Sequence, residues 1–113
     1  MSERVPKVTV IDLLNSIDKL LLYTKGKSYE EFIANDMIVD AVIRNIEVMG
    51  EAANRLPDNF IHQFREINWN KIIATRNRLI HGYDSIENKV IWDIIVNDIP
   101  KLKAQIEELL ERL

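Results

Sequence analysis

Two side chains in the second half of the sequence have the chemistry needed to cleave a phosphodiester. Arg76 stands five residues before His81, and Tyr83 follows two residues later. Histidine accepts and donates protons near neutral pH, and arginine offers phosphate a permanently charged, planar fork. In a five-coordinate transition state, arginine stabilises the charge that grows on the non-bridging oxygens while histidine moves the proton. Arg76 and His81 are therefore candidate catalytic residues.

This chemistry needs no metal ion if the nucleophile is the 2′-OH of a ribose. The sequence near the motif has no compact cluster of acids and histidines that would hold a metal. The chain has no cysteine, which excludes disulfides and thiolate metal sites. We therefore expect neither a metal nor any other cofactor.

The spacing of the two candidates raises a geometric difficulty. Five residues of a regular helix rotate by about 140°, so Arg76 and His81 would not share a face. A helix end at Gly82, or two copies of the motif meeting across a dimer, would remove the difficulty. A purely structural interpretation also accounts for the three side chains. It makes Arg76 a solvated residue, His81 a C-terminal cap favoured by the helix dipole, and Tyr83 a packed ring.

The charge around the motif differs from that of the whole chain. A net charge of −3 argues mildly against non-specific binding of nucleic acid. Residues 67–83, however, contain no acid, while Lys71, Arg76 and Arg78 lie among them. Lys71 and Arg78, together with Asn77, are candidates to support the site or to contact RNA.

The elements that must position these residues are helices joined by short connections. Apolar residues recur at helical spacing, and capping residues and prolines mark the boundaries. The predicted helices cover about 9–24, 28–34, 36–53, 58–65 and 69–81, and a last helical region begins at 84 or 85. Pro100 predicts a kink or a break near Asp98 in that last region. The fold class is all-α, an antiparallel four-helix-type bundle with one or two short extra helices.

The apolar faces of these helices indicate what each one buries. The central part of the helix at 36–53, from Ile38 to Ala53, is apolar almost all round, which is typical of a central helix. The surplus of apolar surface on this helix and on the motif helix predicts a homodimer. The first helix is expected to bury Ile11, Leu14, Ile17 (with Leu13) and Leu21, and the motif helix Ile72, Ile73, Leu79 and Ile80.

The charges of the central helix form one stripe. Asp40, Arg44, Glu47 and Glu51 are spaced four, three and four residues apart. One interpretation is a ladder of ion pairs of small value, favoured for Asp40 with Arg44. The other is that part of the stripe, Arg44, Glu47 and Glu51, borders a polar cleft.

The length of 113 residues predicts a single domain covering 1–113. Its first ten residues contain no apolar run typical of a signal peptide. No stretch approaches the roughly 20 apolar residues of a membrane span. We therefore expect a cytoplasmic protein with no membrane partner.

The motif and its surroundings resemble a known family. Arg-x-x-x-x-His-x-Tyr, present as Arg76, His81 and Tyr83, resembles the signature of minimal HEPN-domain toxins of the HepT type. The resemblance extends, in order, over residues 41–47, 50–53, 67–69, 76–83, 90–92 and 98–100. The bare arginine-to-histidine spacing is weak evidence, whereas the ordered combination is specific.

The resemblance implies an HEPN-like helical homodimer with a composite cleft between two motifs. It implies metal-independent cleavage of RNA by attack of the 2′-OH, in a protein that acts as a toxin. It also implies a partner, a minimal nucleotidyltransferase antitoxin that adenylylates the motif tyrosine, here Tyr83. Asp84 follows that tyrosine, and an acid at this place would repel RNA and weaken activity.

Two other hypotheses compete with the ribonuclease toxin. The first is a non-catalytic HEPN-like module that binds substrate for a nucleotidyltransferase. The second is a helical interaction protein without a site. The intact set of Arg76, His81 and Tyr83 favours the toxin over the interaction protein, but it separates the toxin from the module only weakly.

Overall fold

The structure is a computed structural model that describes residues 5–81 and 87–113. All of the regular structure in these two ranges is helical. The elements are α1 (Pro6–Thr24), α2 (Tyr29–Ile33), α3 (Asp36–Arg55), α4 (Asp58–Gln63), α5 (Trp69–His81), α6 (Asn88–Asp93), a π-helical turn (Ile94–Asp98) and α7 (Ile99–Glu111). The prediction of an all-α fold is confirmed. The predicted start of the last helical region, at 84 or 85, lies outside the described residues, as does the stop at Gly82.

Local capping explains where the helices begin and end. The Ser28 hydroxyl accepts from the backbone N–H of Glu31, whose carboxylate accepts from the N–H of Ser28, which makes a capping box at α2. Asn35 caps α3 by accepting from the N–H of Ile38 at 3.2 Å. Gly26 adopts a φ of +71° just beyond α1, a conformation that favours glycine. These signals are readable in the sequence, and the described helix boundaries agree with the prediction to within two residues, except that α1 begins at Pro6 and not at 9.

The central position of α3 determines the architecture. α3 packs against α1 on one side and against α5 on another, while α7 packs against α1. Asp18 of α1 forms a 3.0 Å ion pair with Lys103 of α7, and this hydrogen-bonded partner raises the pKa of Lys103. The buried apolar side chains form one core; the largest fully buried ones are Phe32, Phe64, Leu13, Ile17, Leu20, Ile67, Ile91, Ile99, Ile106, Leu109, Val10 and Val42.

Two of the predicted core positions are wrong. Ile11 of α1 is 39% exposed, whereas Leu13 and Ile17 are buried as predicted and Val10 is buried in addition. Apolar residues occur on more than one side of α1, so the packing of α3 and α7, rather than periodicity, selects the buried face. On α5, Ile80 is 46% exposed, although it was predicted to lie in the core. The motif helix therefore presents apolar surface to solvent in the single chain.

The region around Pro100 is a π-helical turn rather than a chain break. The backbone N–H of Ile99 donates to the carbonyl of Ile94, five residues earlier. Pro100 follows in the first turn of α7, where its missing N–H costs least. The irregularity predicted near Asp98 is present, and its form is a widened turn. Within the described part of the chain, no helix has the length and apolar character needed to cross a membrane.

Candidate active site

The motif helix α5 is fixed at its first turn by a cap and by a buried ring. Asn68 Oδ1 accepts a hydrogen bond from the backbone N–H of Lys71 at 3.1 Å. Trp69 is buried, and its indole Nε1 donates to the carbonyl oxygen of Phe64 at 3.0 Å. The cap satisfies a helix N–H that would otherwise be unpaired, and the indole keeps its hydrogen bond while buried. Arg76, two turns further along, takes its position from this anchored start.

The helix α5 crosses α3 at a glycine. A Cβ atom placed on Gly50 would lie 2.1 Å from Cβ of Arg76, 2.6 Å from its Cγ and 3.2 Å from the carbonyl oxygen of Ile72. Carbon atoms in favourable contact are about 3.5–4.0 Å apart, so the stem of Arg76 occupies the space that any side chain at Gly50 would need. Gly50 was not among the site residues predicted from the sequence. The sequence did hold one indication of its role, because a glycine inside a strongly helical segment usually has a packing reason.

The guanidinium of Arg76 lies among polar groups at the edge of the crossing. Nη1 donates to Oδ1 of Asn77 at 2.9 Å, and Nη2 is 3.9 Å from Oε1 of Glu51. The second distance is too long for a hydrogen bond, so Glu51 acts on Arg76 through charge. Nε is buried and has no hydrogen-bond partner among the residues that the structure describes. The group is positively charged, held on two sides, and able to stabilise an anion.

The other candidate residues of the motif helix differ in their exposure and in their partners. Arg78 is exposed, and Asn77 is half-buried beside Arg76. Lys71 Nζ forms an ion pair with Oδ2 of Asp98 at 2.9 Å, which ties α5 to the π-helical turn. Both ends of this pair are largely exposed, so the pair contributes little stability. The three candidates predicted to support the site lie on the same helix as Arg76.

The charged stripe of α3 runs beside this site. Arg44 pairs with Glu47 within the helix at 3.9 Å, whereas Glu51, one turn further on, faces Arg76. Glu51 also lines a polar groove of about 240 Å³ between α1 and α3, together with Asp12, Asn15, Ser16, Lys19, Val48, Ala52 and Arg55. The ion pair predicted between Asp40 and Arg44 is therefore wrong, because Arg44 pairs with Glu47, while Glu51 faces the candidate arginine.

A second cavity lies against the motif helix. It has a volume of about 210 Å³ between α3, α5 and α7. Lys71 and Asp98 contribute to a mainly apolar lining that includes Met49, Ile72 and Leu102. Across residues 5–81 and 87–113, no three His, Cys, Asp or Glu side chains gather in a way that could hold a metal ion.

The second catalytic candidate lies at the end of α5. The helix continues through His81, so the backbone positions of Arg76 and His81 are about 140° apart around its axis. The side chain of His81 and the whole of Tyr83 lie outside the described residues. Within one chain, the helix itself does not bring the two positions onto a common face.

Comparison with known proteins identifies a family. The model of the family described as ribonuclease HepT-like matches residues 13–109. A Methanocaldococcus jannaschii protein named as a candidate RNase is 38% identical over 107 residues, covering 95% of this chain and 98% of its own. A protein of Caldanaerobacter subterraneus subsp. tengcongensis with the same kind of name is 30% identical over 109 residues, covering 96% and 97%.

A third relative carries the family name itself. This protein of Thermococcus cleftensis, named as a candidate ribonuclease HepT, is 33% identical over 98 residues, covering 87% of this chain and 89% of its own. No solved structure matches the chain significantly. The family model covers most of the chain, including all of α3 and α5. The chain therefore belongs to the ribonuclease HepT-like family.

Proposed function

We propose that this protein is a metal-independent endoribonuclease, and that it is the toxin of a toxin–antitoxin pair. The observation that carries the proposal is Arg76, a charged side chain that is only 24% exposed and faces polar groups on the motif helix and α3. Arginine in such a place suits stabilisation of phosphate charge. Membership of the HepT-like family supports ribonuclease chemistry.

The proposed reaction uses the RNA itself as the source of the nucleophile. The His81 imidazole takes the proton from a ribose 2′-OH, and the 2′-oxygen attacks the adjacent phosphorus. The bond from phosphorus to the 5′-oxygen breaks, and that oxygen receives a proton as it leaves. Arg76 stabilises the charge on the non-bridging oxygens. The products are a 2′,3′-cyclic phosphate and a 5′-hydroxyl.

The proposed site is completed by a second copy of the chain. Arg76 and His81 lie on different sides of α5, so an arginine from one chain and a histidine from its partner are the simpler pair. Ile73 and Ile80 share one face of α5, seven residues apart, with Asn77 between them. Ile80 is largely exposed in the single chain. A homodimer that buries this face would bring the two motif helices together.

The remaining candidate residues have roles around that pair. Lys71, Asn77 and Arg78 would contact RNA phosphates, since arginine and lysine supply most of the sequence-independent affinity for nucleic acid. The stripe formed by Arg44, Glu47 and Glu51 would border the cleft. Glu51 would also repel phosphates that are not aligned with Arg76.

The proposed partner is a minimal nucleotidyltransferase antitoxin that attaches AMP to Tyr83. An attached AMP adds bulk and a phosphate charge two residues from His81, which would block RNA. Intact mass, measured after expression with and without a minimal nucleotidyltransferase of this kind, tests this role. We expect an AMP-sized increase that disappears in Tyr83→Phe. An increase that maps to Tyr23 or Tyr29, or no increase with an active partner, would contradict it.

The activity is tested by incubating the purified protein with RNA oligonucleotides in EDTA and analysing the product ends by mass spectrometry. We expect 2′,3′-cyclic phosphates and 5′-hydroxyls. An oligonucleotide with a 2′-deoxyribose at the cut position is the matched control and should stay intact. Binding of RNA without any cleavage would favour the non-catalytic module over the ribonuclease.

A further inference from the structure

Gly50 of α3 lies directly against Arg76 of the motif helix. Gly50 lies well inside the 20-residue helix α3, where glycine is less favourable than alanine because it loses more conformational freedom on folding. A glycine at such a position indicates that something else needs the space. Here the neighbouring atoms are Cβ and Cγ of Arg76.

The identity of the clashing atoms determines what a substitution would do. A methyl group on Gly50 would lie 2.1 Å from Cβ of Arg76. Cβ is bonded to the backbone, so no change of rotamer can move it away. Relief of this clash requires α5 itself to shift at the crossing. The contact to Cγ, at 2.6 Å, would in addition disfavour the present direction of the side chain.

We infer that Gly50 is a positioning residue, whose missing side chain lets the stem of Arg76 lie flat against α3 and so fixes where the guanidinium stands. Glu51, the next residue of α3, faces the other end of the same side chain at 3.9 Å. The stem and the tip of Arg76 are thus both set by consecutive residues of one helix. This inference rests on the proposed function for its catalytic meaning, since Arg76 is there the group that stabilises the phosphate.

The test is Gly50→Ala, compared with Ile72→Val. Ile72 packs at the same crossing, so its truncation loosens the contact between the helices without pushing Arg76. We expect Gly50→Ala to lower kcat by about 100-fold, because a displacement of about 1 Å in a catalytic group has an effect of that order. Ile72→Val should lower the melting temperature while kcat stays within about three-fold.

A second measurement does not depend on activity. The ¹H–¹⁵N signal of the Arg76 Nε–H, assigned by its absence in Arg76→Lys, reports the environment of a buried donor. In Gly50→Ala this signal should move and exchange faster with water, and in Ile72→Val it should not. If the wild-type protein cuts no RNA, the proposed function fails, whereas this signal still decides whether Gly50 positions Arg76. An unchanged signal, or a kcat within three-fold of wild type, would overturn the inference.

If Gly50→Ala does not fold, a compensating double variant still tests the inference. Gly50→Ala combined with Arg76→Gly transfers the Cβ from one helix to the other across the same contact. We expect this double variant to recover the helical circular dichroism and cooperative melting that the single variant lacks. If the double variant also fails to fold, a contact other than that with Arg76 excludes the methyl group, and the inference is wrong.

Discussion

Arg76 has an environment that is uncommon for an arginine, because protein covers most of its side chain. Arginine is ordinarily among the most exposed residue types, yet this side chain is largely covered and its Nε has no partner among the described residues. A buried donor left unsatisfied costs about 1–3 kcal/mol. Costs of this kind concentrate at functional sites, where a group is held for its chemistry rather than for stability.

We expect Arg76→Ala to lower the rate of RNA cleavage by about 100-fold or more, since removal of one group that stabilises transition-state charge commonly has that effect. Single-turnover cleavage of a fluorescent RNA oligonucleotide measures it, and circular dichroism checks the fold. The matched control is Arg65→Ala, which removes the same charge from an exposed position after α4. Equal losses in both variants would assign the effect to net charge and not to Arg76.

Part of this site could be predicted from the sequence, and part could not. Arg76 and its neighbour Asn77 were predicted as site residues because their types suit phosphate chemistry. Glu51 was predicted only as one of two interpretations of a charged stripe, since its direction depends on where α5 crosses. The role of Gly50 could not be predicted for the same reason. Sequence spacing reports neighbours on one helix, while this contact joins residues 26 positions apart on two helices.

At the scale of the helices, the residues at which a helix begins and ends were easier to predict than the face that it buries. Caps such as Asn35 and Asn68 act on backbone N–H groups three residues away, so their signal is local. The buried face of α1 was not predictable in the same way, because Val10 and Ile11 are equally apolar. Only the arrangement of α3 and α7 around α1 buries one and exposes the other.

The capping box at α2 gives the stability of the fold a defined dependence on pH. Hydrogen bonds from the backbone N–H and the hydroxyl of Ser28 lower the pKa of Glu31. Because the ionised carboxylate is favoured in the folded state, its stabilisation is complete above the ordinary pKa of about 4.3. The stabilisation is lost as the pH falls through the lowered pKa of the folded state.

Glu31→Gln should therefore unfold at lower denaturant concentration than wild type at pH 7, and the gap should close as the pH falls below about 4. Urea denaturation between pH 2.5 and 7 measures both. Glu30→Gln removes the same charge from the same first turn but leaves the capping-box carboxylate, so its midpoint should show a smaller pH-dependent gap. A gap for Glu31→Gln that is constant with pH would contradict this assignment.

At the scale of the whole molecule, the proposed site has two halves on different chains. The exposed Ile80 and the half-buried Ile73 make one side of α5 suitable for burial against a copy of itself. The sequence predicted a surplus of apolar surface on the central and motif helices. It did not predict which apolar residues of the motif helix stay exposed, and in the structure Ile72 is buried whereas Ile80 is exposed.

A mixture of two inactive variants tests the shared site. A dimer of one Arg76→Ala chain and one His81→Ala chain contains two sites. If each site takes Arg76 from one chain and His81 from the other, one of the two sites keeps both residues intact. Equal amounts that exchange freely should recover about a quarter of the wild-type activity, because about half of the dimers are mixed. Cleavage after subunit exchange, with sedimentation to confirm dimers, measures this. If Arg76 and His81 act within one chain, the mixture stays inactive.

The π-helical turn has a consequence for changes in chain length. A π-helical turn holds one residue more than an α-helical turn, so the helices on either side keep their faces although the chain between them is longer. The extra residue is in effect an insertion that the helix has absorbed. The turn also precedes Pro100, whose ring would clash with the carbonyl four residues earlier in a regular α-helix.

This turn should therefore be the place where the last helical region tolerates the loss of a residue. Deletion of the exposed Val96, with Pro100→Ala to remove the ring, should convert the turn to α-helix and leave the faces of α6 and α7 where they are. Deletion of Lys103 instead rotates Ile106 and Leu109 by about 100° away from the core. Thermal melting of the two deletion variants should show a cooperative transition for the first and its loss for the second. Natural length variation in this family would then gather at the π-helical turn and spare the helix that follows it.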